Sequence, residues 1–344
     1  IKHTGDIVKV DNGAIVNYAG LFGQLEYLRG NASAFISGTF SGNWYRREDR
    51  YNYVQDISSD WVFRTGIDVK AGGNYNLSES QHVYINGGYF SRAPYYKFVF
   101  GNNTNLPTAD LKNEKTLALE AGYGLKLRYT LLKLNAYYTK WEDKSLLTNE
   151  YNQFEDPSMI SGLDALHTGL ELEAEQRISH WMKAGGSFSL GNWKWKNDVT
   201  ALVFNDNNVV VDTIRVYAGG LYVGDAPQTQ LSVFILFRIL KTVELSASWI
   251  YYDRFYADFS PTTRTNPNDR SQPYRIPSYH TLDLHLDFPF RIGPFQARAN
   301  FGCLNTLDNK YIIRGQDGAG HDLDTFRGFR GFGRTFFLSF RINF

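Results

Sequence analysis

The chain has 344 residues, more than one typical domain, and its 36 basic and 35 acidic side chains leave a formal net charge of +1, so no global field points to nucleic acid or an acidic polymer. No run of about twenty apolar residues occurs, which excludes a transmembrane helix. The single cysteine, Cys303, excludes an internal disulfide and reads as a small apolar residue on a strand face.

In chain order, period-two alternation yields about thirteen strand candidates, most of them ten or more residues long, the reach a tilted strand needs to cross a bilayer. The first spans 18–29, and the clearest are 63–77, 83–90, 117–128, 131–140, 231–239, 243–252, 281–290 and 295–304. Within 279–290, Leu282, Leu284, Leu286 and Phe288 fall on one side, opposite Thr281, Asp283, His285 and Asp287. A dry lipid face against a charged lumen accounts for that pattern. A soluble sandwich needs a second sheet over every such apolar row. Near the end, Phe336, Leu338, Phe340, Ile342 and Phe344 share one side, as the closing strand of an outer-membrane barrel does; Phe340, Ile342 and Phe344 form the candidate barrel-assembly signature. Aromatics make up 16% of the chain, which suits the girdles that barrels place at both interfaces.

The connections alternate short and long without a break. Short ones fall at 29–31, 76–81, 128–130, 178–180, 240–242 and 291–294, and long ones at 46–61, 93–113, 143–166, 196–227, 259–278 and 306–331. Tight periplasmic turns and long outer loops generate this rhythm. Because the last strand descends to the periplasm, the first also descends and the strand number is odd. An odd antiparallel set does not close in the usual bacterial way, so residues 1–344 read as the C-terminal portion of a larger transmembrane antiparallel β-barrel.

Several segments resemble TonB-dependent outer-membrane receptors, in particular their Bacteroidetes-type members. Phe90-Ser-Arg-Ala-Pro94 resembles the FRAP-type box, and Asn105-Leu106 with Leu111-Lys-Asn-Glu-Lys115 and Leu119-Glu-Ala-Gly-Tyr123 resembles the "NPNLKPE…ELGY" stretch. Tyr279-His-Thr-Leu-Asp283 and Leu304-Asn-Thr-Leu-Asp-Asn-Lys-Tyr311 are similar to the late "Y-T-hydrophobic-D" strand and to "NLFDKKY". The resemblance implies an all-β barrel of about twenty-two strands filled by an N-terminal plug, with the present strands as the last thirteen or so and the plug and early strands outside this chain. It also implies energised import of a scarce nutrient, with TonB and its inner-membrane motor as partners through the N-terminal region. A ferric siderophore or similar chelate is the favoured cargo, and a surface lipoprotein is a further partner to consider.

No catalytic constellation stands out, so no enzyme, cofactor or metal centre is expected. The seven histidines show no ligand spacing, and His280 and His285 fall on opposite faces of one strand. The 95–104 segment contains no histidine, which argues against a haem receptor of the family. Asp317-Gly-Ala-Gly-His-Asp322 offers oxygen ligands but reads more simply as a Gly-rich turn, and Lys194-Trp-Lys-Asn-Asp198 reads as an interface anchor. Ligand contacts are expected on the outer loops. Arg92, Tyr95, Tyr96 and Phe98 form one aromatic cluster with a cation, and Trp141, Tyr252 and Tyr256, beside Tyr251 and Phe255, a second; ordinary girdle or loop packing is the plainer reading of each. A passive porin, a structural barrel in a surface or secretion assembly and a barrel enzyme are the competing functions.

Overall fold

The computed structural model describes residues 3, 11–101, 104–148, 158–205, 209–239 and 242–343. Its strands are β1 (Asn12–Arg29), β2 (Ala32–Asp49), β3 (Val62–Asn76), β4 (Gln81–Arg92), β5 (Glu114–Lys126), β6 (Thr130–Thr148), β7 (Ser158–Arg177), β8 (Met182–Trp195), β9 (Val199–Phe204) and β10 (Val210–Val216). There follow β11 (Thr229–Arg238), β12 (Glu244–Asp253), β13 (Phe255–Tyr256), β14 (Arg275–Ile276), β15 (Tyr279–Ile292), β16 (Phe295–Leu304), β17 (Ile312–Gln316), β18 (Arg327–Arg330) and β19 (Thr335–Asn343). One four-residue helix, α1 (Tyr96–Val99), sits in the β4–β5 connection. No helix among the described residues is long and apolar enough to cross a membrane, which says nothing of strands.

Thirteen strands follow one another in an antiparallel path, β1 through β8, then β11, β12, β15, β16 and β19, with β9 and β10 attached off the path. β1 and β19 each have one neighbour on that path. Both the strand number and the alternation of turn lengths match the sequence reading. Two-residue hairpin turns need a residue at positive φ to suit the twist of their strands, and glycine provides it at Gly30 (φ 56°) and Gly293 (φ 57°).

Register carries the alternation across the whole sheet. Leu119, Leu134, Leu170 and Leu190 lie on one side, as do Leu286, Phe301 and Leu338 further along. All of these side chains are more than a third exposed, which a water-facing surface does not tolerate over so wide an area. Phe340 and Ile342 join this row, whereas Phe344 lies outside the described residues. Cys303 is on the same row, paired with Phe336 and buried. The opposite row carries ion pairs such as Lys133 with Glu173 (3.0 Å) and Lys183 with Glu175 (2.8 Å), and a Tyr84 hydroxyl donating to Glu120 (3.1 Å).

The buried core is not in the sheet wall. One cluster gathers Ile160, Leu163, Trp195, Val216, Leu221 and Phe259, and a second gathers Tyr45, Phe98, Phe100, Leu111, Met159 and Phe204. Both are assembled from the long connections and the strand ends that enter them. The long connection expected at 143–166 is therefore corrected: β6 runs on to Thr148 and β7 begins at Ser158, because Leu146, Leu147, Met159 and Ile160 are covered by loop side chains. About ten residues suffice for a strand to cross a bilayer, so these two strands exceed that length by roughly 30 Å. Similarly, β2 continues to Asp49, and the connections at 196–227 and 306–331 contain the β9–β10 and β17–β18 hairpins.

Candidate functional site

A cleft of about 750 Å³ opens on the polar face of the sheet at the long-loop end of β2 to β6. It is lined by Tyr45, Asp68, Arg92, Tyr95, Glu114 and Trp141, with Tyr96 at its edge. Alternation brings these groups together: Tyr45, Asp68 and Arg92 occupy the polar row at the long-loop ends of β2, β3 and β4, and the chain then turns at Pro94, whose carbonyl accepts the Tyr45 hydroxyl at 2.7 Å.

Arg92 is half exposed and points its guanidinium along the cleft. It donates to the Tyr95 hydroxyl (2.9 Å) and to Glu114 Oε2 (3.0 Å), and lies over the Tyr95 ring at 4.6 Å. Glu114 also faces Lys144 (3.6 Å), whose ammonium stands 4.7 Å from the centre of the Trp141 ring. The Trp141 Nε1 has no acceptor among the described residues. A planar cation braced against a ring, two carboxylates and a tryptophan face can hold a flat or anionic ligand by stacking and paired hydrogen bonds.

The predicted residues do not form the two clusters the sequence suggests. Arg92, Tyr95, Tyr96 and Trp141 meet in the cleft, with Trp141 drawn from the second group into the first. Tyr96 packs at a tilt against Phe100 (5.4 Å) and its hydroxyl reaches the Gly13 carbonyl (3.4 Å); burial pushes the phenol pKa up. Phe98 is 6% exposed and packs into the loop core, away from the cleft. Tyr252 stands apart, its ring 5.2 Å from Tyr279, which stacks on Tyr311 at 4.5 Å. Tyr256 is buried against Tyr222 at 4.4 Å. Tyr251 lies on the apolar side beside Trp249. Tyr45, Asp68, Glu114, Lys144, Tyr279 and Tyr311 were not singled out as site residues from sequence; Glu114, Tyr279 and Tyr311 carried a signal through their places in the Leu111–Lys115, Tyr279–Asp283 and Leu304–Tyr311 stretches, and the other three carried none.

Two further motifs turn out to serve the loops. Trp195, read as an interface anchor, is 4% exposed and meets Phe259 edge-on at 6.1 Å, so it is a core residue of the outer loops. Asp317, in the Gly-rich segment, is fully buried and bound by Arg264 Nη2 (2.6 Å), His321 Nδ1 (2.6 Å) and the Tyr274 amide (2.8 Å). His321 Nε2 also faces Asp269 Oδ2 at 2.8 Å. Burial works against the charge of Asp269, but hydrogen bonds from His321 and the Ser271 amide outweigh it and hold the carboxyl below its usual range. Together with Arg270 on Asp198 (2.8 Å), these contacts tie the β8–β11, β12–β15 and β16–β19 connections into one body. No group of three or more His, Cys, Asp or Glu side chains among the described residues is arranged to hold a metal ion.

Comparison with known proteins adds to this geometry. Residues 8–305 match the family model described as TonB dependent receptor-like, beta-barrel. The solved siderophore receptor PiuA from Acinetobacter baumannii is similar at TM-score 0.68 and 13% identity, over 97% of this chain and 44% of that one. The copper transporter OprC is similar at TM-score 0.67 and 15% identity, over 95% and 48%. The ferric yersiniabactin uptake receptor FyuA from Yersinia pestis is similar at TM-score 0.61 and 16% identity, over 97% and 46%. The chain thus spans about half the length of these structures. No curated protein sequence matches it.

Proposed function

Because the chain belongs to the TonB-dependent receptor β-barrel family, we propose that it forms wall and outer loops of a receptor that imports a scarce nutrient across the bacterial outer membrane. The single observation that carries this reading is the family match over 8–305. The reading includes a plug within the lumen, energy delivered by TonB and its inner-membrane motor, and the place of these strands as the C-terminal part of the barrel in a Bacteroidetes-type receptor. It assigns the protein to transport and not to covalent catalysis. A surface lipoprotein over the loops is a compatible partner.

A ferric siderophore or related metal chelate is the proposed cargo. Support comes from the cleft, where Arg92 can pair with an anionic donor group and Trp141 and Tyr95 can stack on an aromatic one, and from the similar structures PiuA, FyuA and OprC, a siderophore receptor, a ferric yersiniabactin uptake receptor and a copper transporter. The loops capture the chelate, the cleft orients it, and force applied from the periplasmic side opens its path.

The test uses cells bearing the intact protein and a panel of labelled catecholate, hydroxamate and carboxylate iron chelates. One chelate should bind, enter only while the proton gradient is maintained, and bind about tenfold more weakly to R92Q or W141A, since truncating an aromatic or arginine anchor costs about 1–2 kcal/mol. Uptake that persists after the gradient collapses would indicate a passive pore, and binding of no chelate would remove the proposed cargo.

A further inference from the structure

Residues 326–334 read Phe-Arg-Gly-Phe-Arg-Gly-Phe-Gly-Arg, three aromatic rings and three guanidinium groups without one carboxylate. Phe326 turns inward and packs on Tyr274 at 4.8 Å. Phe329 and Phe332 turn outward and are 67% and 88% exposed. Arg330 is exposed too, and its guanidinium has no ion-pair partner among the described residues.

On the β17–β18 hairpin Arg314 is paired with Asp225 (3.0 Å), and Arg327 begins β18 beside the turn. At the tip stand Asp322 and Asp324, and Asp322 is engaged by the Thr325 hydroxyl and amide. At the base, where Ile312 pairs with Arg330, stand Arg330, Arg334 and Lys310, with Asp308 as the nearby carboxylate; it accepts the Lys310 ammonium (3.0 Å) and the Arg334 amide (2.9 Å). A chain of net charge +1 thus concentrates cations and bare rings at one spot. Arg330 lies five residues ahead of Thr335, within about 18 Å along the chain, and β19 then presents Phe336 (62% exposed) and Leu338 (59%) on the apolar row. The cationic spot is therefore close along the chain to the exposed apolar row of β19.

We infer that the base of this hairpin docks the phosphorylated headgroups of outer-leaflet lipid, Arg330 and its neighbouring cations meeting phosphate while Phe329 and Phe332 lie in the boundary between headgroup and acyl chain. Interfacial segments bind membranes by this pairing of basic and aromatic side chains. The unpaired edge of β18 is poorly suited to an added strand: it is four residues long, interrupted by glycine and flanked by arginine. The inference rests on the outer-membrane location proposed above.

The experiment extracts the intact protein from outer membranes into mild detergent, strips lipid, and counts retained lipid by native mass spectrometry after adding lipid A or its dephosphorylated form. Lipid A should be retained in preference, and R330Q should weaken its retention about fivefold, as expected for one cation at a charged membrane surface. F332S, at an exposed side chain, should weaken retention of both forms, and resistance of the folded band to detergent at room temperature shows that each variant has folded. Equal retention of the two lipids, no loss in R330Q, displacement of lipid A by inorganic phosphate, or a loss confined to self-association of two copies would each overturn the inference and leave the transport reading standing. Absence of the protein from the outer-membrane fraction would overturn both.

Discussion

Replacing Arg264 by methionine gives the sharpest test of how the outer loops are held. The Arg264 side chain is fully buried; it donates to Asp317 (2.6 Å), which is also fully buried, and to the Ser271 carbonyl (2.7 Å), and lies 3.7 Å from Asp269. Methionine fills much of the volume but leaves the Asp317 carboxylate with only His321 and the Tyr274 amide. Breaking one side of a buried pair costs about 3–5 kcal/mol, because the surviving charge remains without compensation in a medium that solvates it poorly. That is roughly two to three and a half orders of magnitude in the equilibrium for loop opening. D317N in the same background removes the stranded charge, and the R264M/D317N double variant should recover about 2 kcal/mol or more of the loss. Hydrogen exchange at the Tyr274 and Tyr217 amides reads the effect directly, since one binds Asp317 and the other the Arg264 carbonyl. Exchange in R264M within about tenfold of the parent, or a double variant no better than the single, would refute the argument that this pair holds the loops.

Three further outcomes are expected. The Asp258 carboxyl in the β12–β15 connection is pushed up to about 6 by burial and then by the charge of Asp225. A raised acid favours the folded state while protonated, so its contribution is full below the unfolded value near 3.8 and is lost as pH rises through about 6; D258N should flatten the pH dependence of Asp317 amide exchange across that window, and an unchanged profile counts against it. Leu172→Arg, on the apolar row between Leu134 and Phe188, should cost about 2–4 kcal/mol in urea unfolding from vesicles, whereas Glu171→Arg next to it on the polar row should cost far less; equal effects would mean that the faces are misassigned. Trp195→Ala should open the loop cluster by about 3–5 kcal/mol and accelerate proteolysis of the outer loops while the heat-resistance of the strands is kept; loss of both together would show that loops and wall form one cooperative unit.

What the sequence by itself determined is the wall. Alternation with period two is a local property, so Leu282, Leu284 and Leu286 announce their face whatever lies beside them, and a hairpin's length is readable from the distance between two such runs. That is why the strand number, the parity of the connections and the opposite placement of His280 and His285 could be read without coordinates. The tertiary structure decided what the long connections do. Their apolar residues follow no period, and whether Trp195 anchors at an interface or packs on Phe259 depends on a contact between residues sixty-four positions apart. The same holds for Arg264 with Asp317, and for Trp141, which left the tyrosines near it in the expected grouping to join Arg92 and Glu114. Burial among the long connections arises from several loops covering one another, and that mutual covering is a property of their arrangement in space which no single segment encodes.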